Sequence, residues 1–396
     1  MKSGNWPLLS CTQVGKLEKG WDRTMKRSDA PATTPVLRID AMGILNNLQA
    51  IRSRTKAQIM AVVKNNGYGL GLCEYGGMLN AMGVERFAVG DAQEALCLRQ
   101  AGTYGEILVL APVYSQEEIL ELTRLHVSLQ VSSVQQLEAL RKALAGFRET
   151  PKLHLKLDTG LGRWGFLPQD LPAVVDQLKK WRFDGVYTHF ASPYGDETAT
   201  RTQARRFFEA VDWLQQAGVE LGKRHLCASG GTLRFPQYHA DMVRVGSALV
   251  GGVPNAAAYG LRPVARLEAP VALLKELKKG EHLGYGGETK LKQDSRVAVV
   301  AVGKREGLKT AGHSGRLGRW IDRIKPPVPL QAQLPGGAAP VLGGLGANHL
   351  MLDVSRVPCA LGDSASFPLN PIYCPPSIRR EWREVSAMPD QSRAAG

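Results

Sequence analysis

No stretch of the 396-residue chain is apolar for long enough to span a bilayer. The N-terminal segment "MKSGNWPLLSCTQVGKLEKGWDRTMKRSDAPATT" holds no continuous apolar run followed by a small-residue cleavage pattern. A cytoplasmic protein with no membrane partner is therefore expected. The six cysteines (Cys11, Cys73, Cys97, Cys227, Cys359, Cys374) form no CxxC pair and no grouping with histidine. They read as reduced thiols, and no metal site is expected. Zinc-finger spacing and basic-aromatic RNA-binding signatures are missing as well. The formal charge of +14, from 50 Lys and Arg against 36 Asp and Glu, thus lacks a nucleic-acid motif to use it. Its modest clusters, "RHLCASGGTLR", "GRLGRWIDRIK" and "SIRREWR", read as solubility together with an anion-binding pocket.

What is present is a rhythm. Short apolar runs alternate with longer helical patterns: "PVLRID", "IMAVVK", "RFAVGD", "ILVLAP", "VSLQVSS", "KLHLKLD", "FDGVYTHF", "RHLCASG" and "MVRVGSALVGG". Strand then helix, repeated about eight times, requires parallel strands joined by crossover helices, and eight units favour closure into a barrel. Near residue 263 the helices stop, and "VARLEAPVALLKEL", "RVAVVAVGK" and "HLMLDVS" read as strands between Gly- and Pro-containing turns. The expected fold is α/β, an N-terminal (β/α)8 TIM-type barrel followed by a C-terminal mostly-β domain. The expected divisions are an extension at 1–34, the barrel at 35–262, the β domain at 263–386 and a tail at 387–396.

In such barrels the strand C-termini carry function. "AVVKNNGYGLG" ends a strand on Lys64. Partly desolvated, that amine could form a Schiff base with a carbonyl; fully solvated, it is only a strand cap. Gly67, Gly69 and Gly71 would let backbone approach a ligand, and Tyr68 adds a phenol. "KLDTGLGRWGF" places Lys156 and Asp158 before a glycine turn that presents Arg163, suited to a carboxylate or to a structural ion pair. His189 ends the strand of "YTHFAS", where a structural role is equally open. The small-residue turns at Ser229 and at Gly246-Ser247 suit a phosphate, with Arg244 on the same rim.

Taken together, "AVVKNNGYGLG", "KLDTGLGRWGF", "YTHFA", "TLRFPQYHADMVRVGSALVGG" and "LGYGGETKLKQDSRVAVVAVG" resemble the alanine racemase family, pyridoxal-phosphate enzymes built from a barrel and a C-terminal β domain. The resemblance covers about Pro35 to Arg383. It implies an isomerase that interconverts L- and D-alanine with pyridoxal 5'-phosphate, acting as a homodimer with active sites at the interface. Lys64 would carry the cofactor and act as one base; Tyr285, contributed across the interface, would be the base on the opposite face. Arg244 would face the ring nitrogen with His225 behind it, and His189 would help to orient the tyrosine. Tyr68, Ser229, Gly246 and Ser247 would hold the phosphate. Arg163 and the backbone at Ala347 would bind the substrate carboxylate, and Lys156 matches a position that family members often carry as a carbamate.

Three positions depart from the family pattern. "GKREG" replaces "GYADG" and puts Lys304 at an entrance aromatic; "GAN" replaces "SMD" at Gly346-Ala347-Asn348; Ile378 stands where a gating tyrosine is usual. Competing readings are a racemase of broader specificity, for serine or lysine, and a non-catalytic cofactor-binding protein. A fold-related decarboxylase is disfavoured by Arg244. The basic loop 310–325 reads as solvent-facing.

Overall fold

The computed structural model describes residues 34–284, 289–309 and 330–383. The expected roles of Tyr285, the loop 310–325, the N-terminal extension and the tail fall outside them. Two compact units divide the chain: Val36–Leu267 with 368–383, and Glu268–Phe367.

The first unit opens with β1 (Val36–Asp40) and α1 (Ala41–Arg52). Eight further strands, β2 (Gln58–Val62), β3 (Arg86–Val89), β4 (Glu106–Val109), β5 (Ser128–Val131), β6 (Leu153–Lys156), β7 (Arg182–Tyr187), β8 (Glu220–His225) and β9 (Met242–Val245), form one sheet. Its order is β8-β7-β6-β5-β4-β3-β2-β9, parallel throughout. Backbone bonds from Asp241 to Arg224 (3.1 Å) and from Arg244 to Cys227 (2.9 Å) close β9 onto the β8 side. The result is the expected eight-stranded barrel.

One of the nine strand-like runs in the sequence lies outside this ring. "VLRID" alternates like a barrel strand, yet β1 pairs in parallel with β18 (Arg379–Arg383) and stays out of the ring. The C-terminal residues 368–383 consequently pack within the barrel unit. Local pattern reports that Leu37 and Ile39 are buried; it cannot report which partner buries them.

The helices between the strands are α2 (Leu72–Ala81), α3 (Ala92–Gln100), α4 (Gln116–Arg124), α5 (Val134–Ala143), α6 (Leu171–Leu178), α7 (Glu197–Gln216) and α8 (Ser229–Arg234). Short loops place a capping oxygen ahead of several of them. Asp91, Ser115, Ser133 and Asp196 each accept the backbone N–H three residues on. Such caps fix where a helix starts and hence where its first-turn side chains point.

In the second unit, β10 (Ala265–Leu277), β13 (Ser295–Val300), β14 (Gln331–Leu334), β15 (Gly337–Leu342), β16 (Leu350–Asp353) and β17 (Ser364–Pro368) run in the order β13-β16-β15-β14-β17-β10. β13 also pairs with β10, so among the described residues these six strands close on themselves. A separate ribbon joins β11 (His282–Leu283) to β12 (Thr289–Lys290). Among the described residues no helix is long and apolar enough to cross a membrane.

Candidate active site

At the C-terminal ends of the barrel strands lies a cavity of about 650 Å³, lined by Lys64, Tyr68, Lys156, Arg163, Tyr187, His189, Ser229, Arg244, Gly246 and Ser247 among others. Among the described residues four basic side chains converge on it, and Asp91 is the one carboxylate in its lining. A larger cavity, about 1050 Å³, opens at the opposite end of the barrel. There Arg86, Lys152, Arg182 and Lys223 face Glu106, Asp184 and Glu220, so the charges nearly cancel. The smaller, cationic cavity is the one that suits an anionic ligand.

Lys64 begins an unusual turn. Asn65, Asn66, Gly67, Tyr68 and Gly69 all take left-handed backbone, with φ from 54° to 83°. Asparagine and glycine tolerate this region; an ordinary residue loses about 1 kcal/mol or more there. Tyr68 has neither excuse. Its ring lies where a Cβ on Gly246 would meet it at 2.6 Å, and its phenol bonds to the Ser247 backbone. Tyr68 keeps this strained backbone while its ring is seated against the Gly246-Ser247 turn. Two further ties hold the turn. Glu94, on α3, accepts from Asn66 N–H (2.9 Å) with one oxygen and from Gly90 N–H (2.7 Å) with the other. Arg380 donates to Gly69 O (3.1 Å) while bonding Pro375 and Pro376 carbonyls.

One of the three glycines serves a close approach within the protein itself. At Gly69 a Cβ would lie 1.8 Å from Pro371 O, so the close approach is to the protein's own backbone. Burial lowers the Lys64 pKa from its ordinary value, the Arg163 charge lowers it further, and Glu94 opposes both. This is the desolvated alternative, not the solvated strand cap.

Asp158 organises the loop after β6. Its carboxylate accepts from the N–H groups of Gly160 (3.0 Å), Leu161 (2.8 Å), Gly162 (3.2 Å) and Arg163 (2.7 Å). Burial alone would raise its pKa, and these four donors bring the net value below the ordinary carboxylate range. Arg163 is thus held by its backbone while its guanidinium lies over Trp164 at 5.4 Å. Lys156 sits between the Trp164 and Tyr187 rings, 5.4 and 5.3 Å from their centroids. Burial first, then Arg163 and Arg244, drop its pKa to about 7.

Arg244 is 2% exposed and is held by carbonyls rather than by a carboxylate. It donates to His225 O (2.5 Å), Thr188 O (2.6 Å) and Leu226 O (3.3 Å), and lies 2.8 Å from His225 Nδ1. Burial lowers its pKa to about 10, which leaves it charged at neutral pH. His225 stacks on Tyr187 at 4.8 Å and is held far below its usual pKa by burial and by Arg244. His189, next to these cations, is pushed down to about 3, by burial first and then by Arg244. Ser229 Oγ accepts from Gly246 N–H (3.2 Å) and Ala248 N–H (3.1 Å), which gathers the small-residue turns into one cradle.

Compared with known proteins, residues 39–254 match the alanine racemase N-terminal domain and residues 264–367 the alanine racemase C-terminal domain. The chain belongs to the alanine racemase family. It is 31% identical over 332 residues to the alanine racemase of Methanococcus maripaludis, spanning 81% of this chain and 84% of that one. Identity to the Salinispora tropica alanine racemase is 33% over 343 residues, 83% and 87% of the two chains. Among solved structures, alanine racemase from Streptomyces lavendulae superposes with a TM-score of 0.79 at 25% identity, over 89% of this chain and 98% of that one.

Against the racemase pattern, the barrel brings Lys64, Tyr68, Lys156, Arg163, His189, Ser229, Arg244, Gly246 and Ser247 to one cavity, with His225 directly behind Arg244. Two of the three departures adjoin within the second unit. Lys304 N–H donates to Gly346 O (3.1 Å) and Arg305 N–H to Ala347 O (2.8 Å), with Lys304 and Ala347 both exposed. Ile378 is buried in the barrel unit. Sequence reasoning missed Glu94, which reads as an ordinary helix-surface acid in "AQEALCLRQ", and Tyr187, whose buried hydroxyl has no hydrogen-bond partner among the described residues.

Proposed function

We propose that the protein is an alanine racemase, an isomerase that uses pyridoxal 5'-phosphate and works as a homodimer. The observation that carries this is the cavity at the barrel mouth, where a desolvated Lys64 shares one space with Lys156, Arg163 and Arg244. The donor set fits the cofactor. Ser229 and the Gly246-Ser247 turn bring small residues together at one rim, and Tyr68 packs so closely on Gly246 that a Cβ there would meet its ring at 2.6 Å. When bound, pyridoxal phosphate supplies an electron sink that makes the α-proton of an amino acid removable.

The residues of the chain do the remaining work. Arg244 stays protonated; with the cofactor bound it would face the ring nitrogen and disfavour a proton there, which would limit the sink and restrain side reactions. Arg163 binds the substrate carboxylate. Lys64 takes or returns a proton at Nζ on one face, and burial and the Arg163 charge, which lower its pKa, ease release of that proton. The partner's Tyr285 serves the opposite face, so each enantiomer loses its proton to one base and regains one from the other. Lys156, with a pKa of about 7, is substantially a free amine. That free amine can add carbon dioxide and lose one proton, becoming a carbamate anion that steadies Arg163.

Chiral analysis of alanine, serine and lysine after incubation with the purified protein tests this reading. L-alanine should yield D-alanine faster than the other two yield their enantiomers. Bound cofactor with no D-alanine formed would overturn it.

A further inference from the structure

Behind Arg244, a file of polar side chains crosses the barrel interior. Arg244 Nη1 lies 2.8 Å from His225 Nδ1, and His225 Nε2 lies 2.9 Å from His154 Nδ1. His154 Nε2 lies 3.0 Å from Glu106 Oε1, and Arg86 Nε is 3.3 Å from Glu106 Oε2. Glu106 and Arg86 line the cavity at the far end of the barrel. Both histidines are at most 1% exposed, and reaching one another requires spanning β7. Gly185 makes this possible: a Cβ there would stand 2.4 Å from His154 Nδ1.

The proton positions follow from donor rules. Arginine only donates, so His225 Nδ1 must accept, and its proton is on Nε2. That proton points at His154 Nδ1, which must therefore accept, leaving the His154 proton on Nε2. An ionised carboxylate only accepts, and Glu106 is what His154 Nε2–H meets. The separation there is that of a hydrogen bond, although the alignment falls short of one. Protonating either histidine would set two N–H groups head to head. Donor-only and acceptor-only ends agree on one polarity.

We propose that Glu106 and His154 are positioning residues that act through His225 to fix the orientation of Arg244 from the opposite end of the barrel. The proposal rests on the racemase reading only for what Arg244 does, not for the file itself. Glu106 supports it electrostatically. Burial would raise its pKa, and the His154 Nε2–H donor together with the charges of Arg86 and Lys223 lowers it, so it stays an acceptor.

The test is 15N spectroscopy of histidine-labelled full-length protein, with and without pyridoxal phosphate. Wild type should show His154 and His225 as neutral Nε2–H tautomers in both states. Either ring protonated, or protonated on Nδ1, overturns the proposal whatever the activity. Glu106→Gln keeps an acceptor and should leave both signals in place. Glu106→Met removes it and should give His154 mixed tautomers, shift the His225 signal and alter the cofactor's visible absorption. It should also lower kcat about tenfold with little change in KM, the lower range for loss of an outer partner. Unchanged ring signals in Glu106→Met would also overturn it. The wild-type spectrum decides even if that variant fails to fold.

Discussion

The barrel interior has two unlike halves. On β2, β3, β4 and β9, Met60, Val62, Ala88, Leu108 and Met242 pack as a dry cluster. On β6, β7 and β8, the interior is His154, Lys156, Tyr187 and His225, and β9 marks the seam by carrying both Met242 and Arg244. The apolar half tolerates reshaping because burial there is proportional to area and has no direction. The polar half cannot, since each buried donor needs a specific acceptor. The difference teaches where function can be sited. One half supplies stability, and the other holds charged groups at fixed positions facing the mouth.

Substitutions in each half should separate these roles. The largest effect belongs to Lys64→Ala, which should reduce racemisation on the order of a thousandfold or more, measured by chiral chromatography, while thermal unfolding changes little. Leu108→Ala should do the reverse. A cavity in the dry cluster should cost about 3 kcal/mol by denaturant titration, with kcat nearly unchanged. Comparable losses of activity in both variants would abolish the distinction between the halves.

Gly185→Ala probes the polar half without touching a charge. Its Cβ would press on the His154 ring and approach Lys223 O at 3.1 Å. Overpacking should cost about 2 kcal/mol of stability. A fully stable variant with unchanged activity would show that the histidine crossing needs no glycine. The smallest effect is expected for Lys156. In 13C-bicarbonate the wild type should show a carbamate carbon that Lys156→Met lacks, with only a few-fold loss of rate. The sign with pH follows from a folded pKa lowered to about 7: the amine is protonated and inert below it and free above it. The carbamate signal should therefore grow as pH rises through about 7.

Much of the site could be read directly from the chain because strand ends announce themselves. "AVVK" and "KLHLKLD" each break off at a polar residue where a parallel strand must stop. His154 was harder. In "KLHLKLD" it alternates with leucines, and a signal was present: His154 and Lys156 are two polar residues on the inward face of a fully buried strand. Glu94 carried no such signal, because a glutamate in the first turn of a helix is ordinary until Asn66 and Gly90 are seen to approach it.

Residue order alone determined the strand–helix rhythm, the eight-unit barrel, the β-rich second unit and the lysine, arginines and small-residue turns at the mouth. Those are local properties: period, chain-breaking residues and polarity at strand ends. Only tertiary structure decided that β1 joins β18, that a left-handed turn seats Tyr68 on Gly246, and that two histidines meet across Gly185. Each depends on residues distant in sequence whose complementarity exists only after the barrel has closed, and no local pattern encodes which side chain will complete a hydrogen bond from the far side of a strand.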